Sequence, residues 1–134
     1  MVDDDEDDQL LFREALKQVN KSVTCNTALN GAEALEILQS SVTPDLIFLD
    51  LNMPIMNGFD CLKALKNEKI YRHIPVIIFT TANDLTTIEK CRTLGASGFF
   101  HKPIDFDLLL LKLQQLLKTD TDSPQSLSVP DFLI

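Results

Sequence analysis

The sequence predicts an α/β domain, a parallel sheet covered by helices on both faces, and three observations point there. Short runs rich in β-branched and aromatic residues alternate with longer stretches of helical spacing. Two of those runs, Leu46 to Asp50 and Val76 to Thr80, are almost wholly apolar before their last residue, as strands buried on both faces are. The chain of 134 residues also matches one ordinary domain, which can bury about two-thirds of its unfolded surface in a single core.

Taken in order, Met1 and Val2 read as the stub of a first strand, followed by a helix over 6–19. Ser22 to Leu29 is expected as the next strand and 32–40 as the second helix. Leu46 to Asp50, a helix over 58–67, Val76 to Thr80, a helix over 84–94, Ser97 to His101 and a helix over 105–118 complete the alternation. Each helix carries an apolar stripe assigned to the core: Leu10, Leu11, Ala15, Leu16 and Val19, then Ala34, Leu35 and Leu38, then Cys61, Leu62 and Leu65. Gly58 and Gly95 mark turns at helix ends, and Asp84 and Asp105 stand where an N-cap satisfies free backbone donors. After Lys118 the stretch TDTDSPQSLSVP reads as a polar linker, yet it ends in the apolar Phe132, Leu133 and Ile134.

Composition removes several classes of function. A net charge of -8 repels nucleic-acid phosphates, and no Lys/Arg stripe offsets it, so direct DNA or RNA binding is not expected. Cys25, Cys61 and Cys91 form neither a CxxC pair nor a cluster with histidine, which leaves buried thiols of a reducing compartment. No apolar run approaches the roughly 20 residues of a membrane helix, and the start is acidic where a signal peptide is basic and then apolar. A cytoplasmic protein is expected.

Chemistry concentrates at the predicted strand ends. Asp5, Glu6, Asp7 and Asp8 fall in the first turn of a helix, where complementing its dipole accounts for them without a function. Asp3 and Asp4 precede the helix, at the carboxyl end of a strand, and Asp50 ends another; open α/β sheets place their ligands there. Neighbouring strands would bring the three carboxylates into one crevice, where repulsion raises their pKa values unless a divalent cation compensates. Oxygen-only ligands favour Mg2+, which typically takes one or two carboxylates and leaves positions for phosphate oxygens. Thr80 ends a strand at the same sheet edge and Lys102 follows another. Phosphoryl transfer asks for alignment and charge neutralisation, which a hydroxyl, an ammonium and Mg2+ supply.

The segments VDDDEDD, PDLIFLDLNMPIMNGFD, PVIIFTTA and GASGFFHKP resemble the receiver domain of two-component response regulators, of the stand-alone, chemotaxis type. The resemblance spans residues 1–118 and implies a flavodoxin-like, doubly wound five-stranded sheet of order 2-1-3-4-5 with five helices. It implies Asp50 as phosphoacceptor, Asp3, Asp4 and Asp50 around Mg2+ with the Asn52 carbonyl, and Thr80 and Lys102 on the phosphoryl group. Thr80 and Phe99 would form the switch, Phe99 turning inward without the hydroxyl of the tyrosine often found there. The implied donor is a sensor histidine kinase or histidine phosphotransferase. The implied output is a downstream protein target, met through the 84–94 helix, the 97–101 strand and the 105–118 helix. An enzyme turning over an aspartyl-phosphate is disfavoured because Asn52 stands where a second acid/base aspartate would be; the alternative is a phosphorylation-independent interaction module.

One departure stands out. An interior first strand needs about five residues, and Met1 and Val2 supply two before the acidic pair. The extension 119–134 is therefore expected to pack at this truncated strand, Asp131 to Ile134 filling the place with Pro130 as first residue. Filling within one chain keeps a monomer and exchange between two makes a dimer; a tail docked elsewhere or disordered is the alternative.

Overall fold

In the computed structural model, residues 1–40, 43–117 and 132–134 are described. Helix α1 (Glu6–Val19) and α2 (Gly31–Ser40) precede strand β1 (Ile47–Leu49); α3 (Gly58–Asn67), β2 (Val76–Thr80), α4 (Leu85–Thr93), β3 (Gly98–His101) and α5 (Phe106–Leu116) follow. The three strands form a parallel sheet in the order β1-β2-β3. Two single bridges extend it, because Val2 pairs in parallel with both Ala28 and Leu49. Chain positions across the sheet therefore run Ala28, Val2, β1, β2, β3, the flavodoxin-like order with its first two strands reduced to one bridge.

The helices begin where the side chains can cap them. Asp5 accepts from the Asp7 and Asp8 N–H groups, Asn57 from Asp60, Asp84 from Thr87 and Asp105 from Leu108, each satisfying a donor that has no partner inside its helix. Of these, Asp84 and Asp105 match the sequence reading; Lys118, placed there at the end of the fifth helix, lies outside the described residues.

Two apolar layers flank the sheet. One gathers Ile47, Leu49, Val76, Ile78 and Phe99 against Cys61, Leu62, Leu65, Ile88 and Cys91 of α3 and α4. The other gathers Phe48, Ile77, Phe79 and Phe100 against Phe12, Ala15 and Leu16 of α1 and Leu109, Leu113 and Leu116 of α5. In α1 the buried stripe is Gln9, Phe12, Ala15 and Leu16. Leu10 and Leu11, expected in the core, are 59% and 48% exposed, since Phe12 sets the inward face and residues one or two positions before it turn away. Cys61 and Cys91 are buried as expected, whereas Cys25 is half-buried.

The strand expected over Ser22 to Leu29 does not form a ladder. Its one bridge is at Ala28, whose N–H donates to Met1 O at 3.0 Å and whose carbonyl accepts from Asp3 N at 3.0 Å. The Met1 ammonium donates to Asn26 O at 2.9 Å, and burial lowers its pKa. Before Asn26 no strand among the described residues pairs with the segment, and a cleft of about 1410 Å3, lined among others by Phe12, Thr24, Asn26, Phe48 and Leu65, lies beside it. Strand propensity without a partner yields no ladder.

The chain's last residues are not at the truncated first strand, contrary to expectation. Phe132 O accepts from Phe99 N at 2.7 Å and Ile134 N donates to Phe99 O at 2.9 Å, so Leu133 bridges Phe99 in parallel on the far edge of β3. Pro130 and Asp131 lie outside the described residues. Two causes are visible. Val2 already holds the interior position between Ala28 and Leu49, whereas the outward N–H and C=O of Phe99 lie on the sheet's last strand, where an edge accepts an added strand. The flanks also suit the segment: the Phe132 ring lies 6.5 Å from that of Phe99 with the Arg92 guanidinium 4.6 Å from it. Lys112 Nζ donates to Ile134 O at 3.3 Å.

Phe132 is half-buried, so Phe132→Ala in the full chain is expected to lower the unfolding free energy by about 1 to 2 kcal/mol, less than a fully buried Phe would cost. Urea denaturation measures this as a lower midpoint at unchanged slope; an unmoved midpoint would show that the edge contact contributes nothing.

Candidate functional site

Strand pairing brings the acidic residues together. Val2 N donates to Phe48 O at 2.8 Å and Asp50 N to Val2 O at 2.9 Å, so the chain leaves the sheet at Asp3 and Asp50 side by side. Gln9, buried in α1, reinforces the junction by donating from Nε2 to Asp3 O at 2.6 Å and Ala28 O at 3.0 Å. One oxygen from each of Asp3, Asp4 and Asp50 lies within 4.8 Å of the others. Asp3 is fully buried, Asp50 is 6% exposed and Asp4 faces solvent.

Asp50 Oδ1 is pinned by the Leu51 N–H at 2.8 Å. Its Oδ2 lies 3.6 Å from Lys102 Nζ. Lys102 reaches inward because its backbone N–H donates to Thr80 O at 2.7 Å, continuing the pairing of β2 with β3 past His101. Its ammonium donates to Asp8 Oδ2 at 2.8 Å and stands 2.8 Å from Asp3 Oδ2. The Asp3 contact is ionic without hydrogen-bond alignment, for Asp3 Oδ2 is buried with no hydrogen-bond partner among the described residues. Asp3 Oδ1 accepts from Asp5 N at 2.9 Å.

These distances set the electrostatics. Burial pushes the Asp50 pKa up to about 6 against the pull of Lys102, with Asp3 and Asp4 adding to the rise. Burial likewise raises Asp3, opposed by Lys102. For Lys102 burial works to lower the pKa, but the surrounding carboxylates Asp3, Asp8 and Asp50 outweigh it and raise it. An anionic hollow with one ammonium, and a buried carboxylate oxygen lacking a hydrogen bond, is a donor set that fits a hard divalent cation.

The loop after Asp50 returns to pack against the backbone of Asp50 and Leu51. Asn52 is exposed two residues on, and Ile55 adopts φ 67, a left-handed conformation uncommon for a β-branched residue. Gly58 N donates to Leu51 O at 2.9 Å, and a Cβ there would lie 2.1 Å from Asp50 O and 2.7 Å from Leu51 Cα. Only glycine lets α3 begin against the backbone of Asp50.

Among the residues singled out from sequence, Asp3, Asp4, Asp50 and Lys102 converge. Thr80 ends the neighbouring strand, fully buried, its Oγ1 accepting from Ala82 N at 3.3 Å. Phe99 lies away from the carboxylates, 2% exposed in the core layer of α3 and α4. His101 is exposed, with Nε2 2.9 Å from Thr81 O. Sequence reasoning missed Asp8 and Gln9. Neither carries a signal that separates it from the acidic first turn of α1, since the helix dipole accounts for the acids there equally.

Comparison with known proteins agrees with this arrangement. The family model described as the response regulator receiver domain matches residues 1–114. The transcriptional regulator NtrC of Escherichia coli is 38% identical over 80% of this chain, and the response regulator ORR4 of Oryza sativa 35% identical over 93%. The chain spans 22% of NtrC and 63% of ORR4. Among solved structures, the phosphorylated cyanobacterial phytochrome response regulator RcpA superposes with TM-score 0.79 at 26% identity, covering 91% of this chain and 95% of that one. The chemotaxis response regulator CheY4 of Vibrio cholerae superposes with TM-score 0.74 at 31% identity, covering 87% and 94%. With the order of its strands, the acidic hollow at their ends and a family match over most of its length, the chain belongs to the response regulator receiver domains of two-component systems.

Proposed function

We propose that the domain accepts a phosphoryl group on Asp50 from a phosphohistidine of a sensor kinase or phosphotransferase, with Mg2+ bound, and passes the signal to a protein target. The observation that carries this reading is the hollow itself: three carboxylates within 4.8 Å and an ammonium 3.6 Å from Asp50 Oδ2. The response regulator Rcp1, 26% identical with TM-score 0.73, is known in a Mn2+-bound form, which supports a divalent cation for this chain.

Asp3, Asp4 and Asp50, with the Asn52 carbonyl, would hold the cation. When bound, Mg2+ supplies positive charge to the phosphoryl oxygens and relieves the mutual repulsion of the acids. Asp50 Oδ2 forms the bond to phosphorus as the phosphorus–nitrogen bond of the donor breaks, its electron pair leaving on the imidazole nitrogen. Lys102 neutralises charge on the equatorial oxygens, and the Thr80 hydroxyl, released from Ala82, donates to one of them. Because the donor's phosphorylated histidine supplies the leaving group, this chain needs no general acid of its own. Phosphorylation shifts an equilibrium between two arrangements of Thr80 and Phe99 by the stability it adds to one of them. The face of α4, β3 and α5 carries the result to the target.

The 134-residue chain incubated with Mg2+ and acetyl phosphate is expected to gain one phosphoryl group by mass spectrometry, with Asp50→Asn and EDTA each abolishing the gain. Release of many equivalents of phosphate would indicate a hydrolase, and no labelling would indicate a binding module. A second expectation concerns the metal-free protein. Asp50 titrates higher when folded than its ordinary 3.8, so the folded state binds more protons and its stability falls as pH rises through about 6. In EDTA, Asp50→Asn should therefore stabilise the chain most above pH about 6, the gain shrinking toward pH 4. A gain that does not vary with pH would show that burial of the charge is not its source.

A further inference from the structure

The lysine of the hollow is held by an acid that the chemistry above does not use. Asp8, the third residue of α1, accepts from Lys102 Nζ at 2.8 Å, the one side-chain hydrogen bond this ammonium makes among the described residues. Asp50 Oδ2 is farther, at 3.6 Å. Complementing the helix dipole does not require this inward turn, since Asp7 in the same turn stays exposed. Asp8 also stands outside the group of carboxylates close enough to share a cation. Its side chain is 35% exposed against 11% for Lys102, so the acid of the pair reaches water while the ammonium is largely withdrawn from it.

Resting on the phosphoacceptor reading, we infer that Asp8 is a positioning residue that competes with the phosphoryl group for Lys102, so that the charge of α1's first turn sets how readily the site takes up an anion. An ammonium offers three N–H donors. With one committed to Asp8 and the charge drawn toward Asp3, Lys102 is displaced from Asp50, and binding a tetrahedral anion at Asp50 requires the Asp8 bond to lengthen or break. Asp3 does not impose the same cost once a cation is present, because its buried Oδ2 has that cation to turn to. Asp8 has no second cation among the described residues, so its whole effect falls on Lys102.

The test uses beryllofluoride, an inert mimic of a phosphoryl group, bound to the full chain in saturating Mg2+ and followed by fluorine NMR. Asp8→Asn is expected to lower the half-saturating concentration of beryllofluoride by about three- to fivefold, the range of a partly exposed ion pair. Asp7→Asn, which removes the same charge one residue away, should leave it unchanged. Half-saturation by Mg2+ alone should not improve in either variant, which separates an effect on the lysine from a general loosening of the hollow. Equal or weaker anion binding by Asp8→Asn, or an equal gain in Asp7→Asn, overturns the inference. If the unsubstituted chain binds no beryllofluoride in Mg2+, the phosphoacceptor reading itself fails.

Discussion

One ammonium answering four carboxylates is the interaction on which the rest of this structure depends. Lys102 lies within 3.6 Å of Asp3, Asp8 and Asp50, and Asp4 adds an oxygen at the rim. Bringing these acids together is costly, because two of them are withdrawn from water and all repel one another. The consequence is visible in Asp50, whose pKa is pushed up to about 6 although a lysine is near. The lysine reduces the imbalance without removing it, and what remains is an affinity for positive charge. Such a deficit is what the cation proposed for this hollow would offset.

The fold supplies the positions and holds them from the backbone. Asp3 and Asp50 are adjacent because Val2 is hydrogen-bonded to the chain on either side of Leu49, and Lys102 points inward because its N–H continues the ladder to Thr80. Such constraints are rigid, since sliding a strand by one residue would turn every side chain to the other face. Gly58 works in the same way, for a side chain there would displace the carbonyl of Asp50. The strain of crowded acids is thus borne by ladder hydrogen bonds and by two packed layers, and the loop carrying Ile55 at φ 67 shows where some strain remains in the backbone.

Much of this was legible in the sequence for definite reasons. β1 and β2 are short, apolar and β-rich, and nothing else explains Val76-Ile77-Ile78-Phe79. Asp3, Asp4, Asp50 and Lys102 stood out because each falls at a strand end, where alternating topology forces convergence. Asp8 was hidden by its neighbours: in a run of acids, the dipole explains all members equally, and only the direction of a side chain separates them. Gln9 was hidden because a polar residue beside an acidic run reads as surface, although it is buried and bonded to two carbonyls. The segment Ser22 to Leu29 has strand composition, but a ladder requires a neighbour, and Met1 and Val2 provide one bridge. The final apolar residues announced that they would pair with a sheet; which edge they would choose depended on pairing already completed elsewhere.

That choice of edge has its own logic within β3. The strand's inner side, at Gly98 and Phe100, faces β2, and its outer side, at Phe99, is satisfied by Phe132 and Ile134. Beyond His101 the same run of chain delivers Lys102 to the carboxylates. One four-residue strand therefore carries a peptide-edge contact near its start and delivers a lysine to the acidic hollow just past its end, where the Lys102 N–H donates to Thr80 O. Packed interiors shift between discrete arrangements and do not deform continuously. The ammonium that lies between Asp8 and Asp50 is thus attached just past one end of a strand whose outer edge pairs with residues 132–134.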